Sequence, residues 1–178
     1  MVKDSRHTDE TIAAWVRDNP ISLREDGGIN TCPVRLAFPH LSKPQTNTND
    51  DGTTRDTYNV ALLFPSFAGG LPPHVGGQVF DTLYTAWWQD CQSAFPDKNV
   101  GNQFPGLHSP FHDQAEKASY AGYEPGSVYL NVSSEFKPQV VDSACNAIPD
   151  GPAFEARVYG GVWAIVSLTH YAFGTKPK

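Results

Sequence analysis

The chain has 178 residues, a net charge of −6 and a pI near 5.4, which gives length for one domain with a real core and argues against any partner held by overall attraction. Its 15 glycines and 15 prolines, beside 39% hydrophobic and 12% aromatic residues, exclude a disordered chain and point to short strands joined by turns, all-β or α+β. Cys32, Cys91 and Cys145 form no C-x-x-C pair, which removes a disulfide framework or zinc ribbon and fits a reducing compartment.

The N-terminus has no apolar run of signal-peptide length, and no segment reaches the ~18 apolar residues of a membrane span, so a soluble cytoplasmic protein is expected. "TDETIAAWVRDNP" predicts a short helix with Thr8 as N-cap, Asp9 and Glu10 in the first turn, an Ile12/Trp15/Val16 stripe and Pro20 beyond its end. "CPVRLAFPHLSKP" predicts a strand over 32–38 closed by Pro39. Cys32, Val34, Leu36 and Phe38 face one way, and Arg35 points away from the core. "KPQTNTNDDGTTRD" reads as a long polar loop, and "TYNVALLFP" as a second strand pairing antiparallel with the first.

"SFAGGLPPHVGG" interrupts regular structure. "QVFDTLYTAWWQDCQSAF" then predicts a helix of roughly 16 to 18 residues, with Phe80, Tyr84, Trp87, Cys91 and Phe95 as its core stripe. Residues 96–126 read as an irregular excursion. "GSVYLNVSSEFKP" sends Val128, Leu130 and Val132 inward and Tyr129, Asn131 and Ser133 outward. After a turn-rich "DSACNAIPDGPA", two closing strands are expected over about 154–159 and 162–173.

Catalytic motifs are missing: there is no Walker loop, G-x-G-x-x-G, G-x-S-x-G or H-E-x-x-H. "GLPPHVGG" lacks the following Lys of a phosphate loop and reads as a turn. His108, His112 and Asp113, with Cys91, have the donor types zinc takes, but their spacing belongs to no compact site. No catalytic residue, metal or cofactor is therefore called for.

The rings carry more. Tyr129, Tyr159, Trp163 and Tyr171 share the non-aliphatic parity of their strands, with Arg157 near Tyr159 and Lys137 just past the Tyr129 strand. If those strands adjoin, they make a ring platform with cations at its margin. Unpaired nucleic acid asks for that combination, since bases stack on rings while Lys and Arg follow phosphates. The alternative is that the rings pack under the N-terminal helix or the 96–126 excursion.

"VRLAFPHLSKP", "YNVALLFP", "PFHDQAEKASYAGYEPGSVYLNVSSEFKPQVVD" and "VYGGVWAIVSLTHYAFG", in this order, resemble the single-stranded-DNA-binding proteins of tailed bacteriophages, related in fold to those of T7-type phages. The resemblance covers most of residues 33–174. It implies a mainly β fold: a five-stranded OB-fold barrel with one closing helix, preceded by an arm over residues 1–30 and occupying 31–178. It also implies sequence-independent binding of single-stranded DNA in phage replication and recombination, in the host bacterial cytoplasm. Its "RLAFPHLSKP" and "SSEFKP" segments carry Arg35, Lys43, Tyr129, Phe136 and Lys137 over as groove residues. Arg157, Tyr159, Trp163 and Tyr171 rest on strand parity alone. Where relatives are basic, "PFHDQAEK" keeps Lys117 as its single Lys or Arg. Relatives also continue into an acidic tail that contacts phage or host replication proteins; here the expectation is that the chain ends at Lys178 or has lost such a tail. A phage structural or assembly protein, using the aromatic face as a protein interface, is the alternative.

Overall fold

The structure, a computed structural model, describes residues 9–48, 51–65, 73–101, 104 and 106–170, without the side chains of Asp9 and of 73–81. Thr8, Tyr171 and the Phe80 side chain lie outside the described residues. The elements are α1 (Asp9–Asp18), β1 (Ser22–Leu23), β2 (Ile29–Asn30), β3 (Val34–Thr48), β4 (Thr54–Leu63), α2 (Pro73–Ala94), β5 (His112–Asp113), β6 (Val128–Ser134), α3 (Pro152–Glu155), β7 (Trp163–Ala164) and β8 (Ser167–Leu168). Both sheets are antiparallel, and the fold is mainly β with three helices among the described residues. No helix there is long and apolar enough to cross a membrane. The described residues fall into two compact units, 34–65 with 110–164, and 9–33 with 73–109 and 165–170.

In the second of these units, α1 forms where its apolar spacing predicts it, burying Ile12 and Val16. Helix α2 begins earlier than expected, at Pro73, where proline's fixed φ suits a first turn. Its stripe is also displaced. Leu83, Ala86 and Cys91 are buried while Tyr84 is exposed, so the large rings do not all mark the inward face. The small sheet runs β1-β2-β8. Its junction is fixed by Thr31, whose N–H donates to Val166 O at 2.9 Å and whose hydroxyl accepts from Val166 N at 3.0 Å. Burial pushes the neighbouring Cys32 thiol up to about 12, so it behaves as a small apolar side chain.

The first unit is built on a five-stranded sheet, β5-β6-β4-β3-β7. Its described strands do not close into a barrel. Strand β3 runs on past its expected end at Phe38, and residues 43–48 and 54–56 of the loop expected over 43–56 are strand instead, with Gln45 opposite Thr57, Asn47 opposite Arg55 and Thr48 opposite Thr54. Threonines on both arms favour this extended pairing. Pro39 does not end the strand, because it sits in a bulge where no ladder N–H is needed.

The C-terminal third departs most. The strand expected over 154–159 is a single helical turn, α3, followed by turns, with Pro152 supplying the first-turn φ. The strand expected over 162–173 is two short pieces: β7 pairs with β3, and β8 pairs with β2 in the other sheet. The 96–126 excursion is mostly irregular as expected. It adds the edge strand β5 and short 3-10 turns at Pro96–Lys98 and Gln114–Lys117.

Candidate nucleic-acid interface

Alternation gives the five-stranded sheet two different faces. Val34, Leu36, Leu62 and Leu130 share one and are buried. Arg35, Ala37, Ala61, Leu63, Tyr129 and Asn131 occupy the other, because Arg35 pairs with Leu63, Ala37 with Ala61 and Leu63 with Tyr129.

Parity therefore places Tyr129 opposite the aliphatic residues, yet it is only 2% exposed. A roof of chain covers it. The His112 ring stacks on it at 4.9 Å, Tyr123 meets it edge-on at 5.3 Å, and Lys117 Nζ lies 4.8 Å from its ring centre. Gln114, itself buried, holds the roof down. Its Nε2 donates to Phe64 O at 2.7 Å and Val128 O at 2.9 Å, and its Oε1 accepts from Glu124 N at 2.9 Å. Burial, with Tyr129 and Tyr120 nearby, raises the Tyr123 hydroxyl above the usual phenol value. The alternative of rings packed under the excursion thus holds for Tyr129.

The expected ring platform is not assembled. Strands β4 and β3 lie between β6 and β7, a separation of about 14 Å between Tyr129 and Trp163 at ordinary strand spacing. Tyr159 lies in the turns after α3, and half-buried Trp163 pairs with Arg35. His112 and Asp113 are also engaged, the latter accepting from Ala115 N at 2.8 Å. No group of three His, Cys, Asp or Glu side chains that could hold a metal exists among the described residues.

The cations fall into two sets. Lys137 pairs with Asp150, Arg157 with Asp142 at 3.7 Å, and Arg55 with Glu135, so each has a carboxylate beside it. Asp142 is held below the usual carboxylate range, first by the Asn146 N–H, then by the Ala144 N–H, the Asn146 side chain and Arg157. Arg35, Lys43 and Lys117 have no carboxylate partner among the described residues. Arg35 is half-buried, and its Nε donates to Gly161 O at 3.3 Å. Its guanidinium fits because two neighbours lack side chains. A Cβ at Gly122 would lie 3.1 Å from Nη1 and one at Gly161 3.3 Å from Nη2, and φ values of +95° and +108° already favour glycine there.

Exposed rings occur where strand parity did not place them. Phe38 was expected to face the core with Val34 and Leu36, but Phe38 and Pro39 together oppose Val60 in the bulge. The extra residue releases Phe38 from the alternation; it has φ +50° and is 52% exposed. Tyr120 stands edge-on to it at 5.6 Å and 87°. Phe136, just past β6, is 80% exposed. Beside Phe38 opens a cleft of about 450 Å³ whose wall includes Gln45, Asn59, Lys117, Asn131 and Ser133.

A mainly β protein with a polar, ring-edged cleft on one sheet face is the class these features define. The chain belongs to the family described as Enterobacter phage Enc34, ssDNA-binding protein, whose sequence model matches residues 28–178. No curated protein sequence matches it. Among solved structures it is similar to the single-stranded DNA-binding protein from bacteriophage Enc34 in complex with ssDNA, with TM-score 0.65 and 17% identity over 88% of this chain and 81% of that chain. A C-terminal truncation of the Enc34 protein gives TM-score 0.63 and 16% identity over 88% and 80%. At these identities the structural likeness is one of fold.

Proposed function

We propose that this protein binds single-stranded DNA across the cleft face of its five-stranded sheet, as a non-catalytic coat during phage replication and recombination. The observation that carries this reading is family membership over residues 28–178, together with likeness to a fold solved with ssDNA. The sheet is read as part of a five-stranded OB-type barrel, a scaffold that commonly presents one face to single strands.

Phe38 and Tyr120 supply ring surface for bases, with Phe136 at the far end of β6. Arg35 and Lys43 supply charge for phosphates, and Lys117, in the cleft wall, supplies a donor beside the bases. Arg35 has donors left over after its bond to Gly161, and a half-buried guanidinium with no carboxylate partner among the described residues favours an incoming anion. Lys137 and Arg157 enter only by exchanging Asp150 and Asp142 for phosphate, and Trp163 acts by flanking Arg35. Tyr129 contributes by supporting Lys117 from below, and Tyr159 by shaping the turn before β7.

Fluorescence anisotropy of a labelled oligo-dT of about 30 nucleotides tests this reading. Saturable binding that weakens with salt is expected. F38A should lose about fivefold or more in affinity at every salt concentration, because base stacking is worth ~1 to 3 kcal/mol. R35Q should flatten the log–log salt slope by about 0.7, the share of one single-strand phosphate contact. No saturable binding contradicts the function; normal affinity in F38A and an unchanged slope in R35Q contradict the site.

A further inference from the structure

We propose that the cleft beside Phe38 is a nucleobase pocket that favours keto over amino pyrimidines, an inference that rests on the single-stranded-DNA reading above. Its geometry differs from a bare stacking surface. Phe38 is held at φ +50° and braced by Tyr120, so its ring is presented beside polar walls and not on an open apolar sheet.

Part of the wall is fixed internally. Asn59 Nδ2 donates to Gln45 Oε1 at 3.2 Å, and Asn47 Nδ2 donates to Thr57 Oγ1 at 2.8 Å. Asn131 and Ser133 differ: they pair in register with Ala61 and Asn59, line the same cleft, and their side chains bond no described residue. A carboxamide carries an acceptor and a donor on one edge. That edge matches the adjacent ring N–H and carbonyl of thymine, with Asn131 Oδ1 accepting from N3–H and Nδ2 donating to a keto oxygen.

Lys117 decides between pyrimidines. Its Nζ is held over the buried Tyr129 ring in the cleft wall, and an ammonium only donates. It suits the thymine O4 keto group. Cytosine offers an amino group at the same position, which sets donor against donor. Thymine and cytosine share ring size, so stacking on Phe38 changes little between them.

Competition between oligo-dT and oligo-dC of about 30 nucleotides, measured on wild type and on N131A and K117Q, tests the pocket. Wild type should prefer oligo-dT by about fivefold or more, the discrimination expected of a good paired contact. N131A and K117Q should each shrink that ratio, while F38A should weaken both ligands alike. Asn131 is exposed, so its loss spares the fold. Equal binding of the two oligonucleotides by wild type overturns the pocket and leaves single-strand binding standing. A preference that survives unchanged in both N131A and K117Q overturns it equally. Failure of wild type to bind either oligonucleotide overturns the underlying reading as well.

Discussion

At the residue scale, the site depends on a few side chains whose roles come from their neighbours. Arg35 was legible, because it interrupts an apolar alternation and so had to leave the core face. Phe38 was not: its identity and parity both say core, and a bulge that cannot be read from one strand turns it outward. The bulge leaves one trace in the sequence, Pro39 inside an otherwise continuous strand. Tyr129 shows the converse, since its parity was read correctly but the covering segment was not placeable. Gln114 makes that cover. Its replacement by Ala removes three hydrogen bonds, although Phe64 O keeps Ser127 Oγ and Val128 O keeps the Phe64 N–H, so Q114A should cost about 1 to 3 kcal/mol in urea unfolding and leave Tyr129 more exposed. Wild-type stability in Q114A would mean that the roof is not held by this side chain.

At the element scale, helices α1 and α2 and the β3–β4 hairpin were foreseen because each is encoded locally by period and punctuation. The polar arms of that hairpin read as a loop in the sequence, since polar alternation without an apolar face resembles one. The last third misled for another reason: β7 and β8 are too short to show a period, and they serve different sheets. The 142–147 loop is built on a carboxylate. Asp142 accepts from Ala144 N at 2.9 Å and Asn146 N at 3.0 Å and faces Arg157. Its folded pKa is lowered, so its contribution is full above the ordinary carboxylate value of about 3.9 and fades as pH falls through the folded value. An NMR titration should show the Asp142 carboxyl and the Ala144 and Asn146 amides moving together with a midpoint below about 3.9. A midpoint at or above that value would contradict the loop geometry.

For the whole molecule, net charge is a poor guide to the partner. An overall charge of −6 coexists with Arg35, Lys43 and Lys117, which have no described carboxylate partner, while Lys137, Arg157 and Arg55 are each paired. Local sign and ring exposure decide the reading, and neither is visible until the strands are ordered. The family was legible from sequence because motif order survives where overall identity is low; the arrangement of the rings was not, because it depends on which strands adjoin.

Hydrogen–deuterium exchange of the protein with and without saturating oligo-dT addresses the central claim most directly, since it reports both whether a strand binds and where. Slowed exchange is expected over 34–43, 115–123 and 129–137, with the α1 segment 9–18 unchanged. Protection absent from those three segments, or confined to 152–164, would contradict that claim.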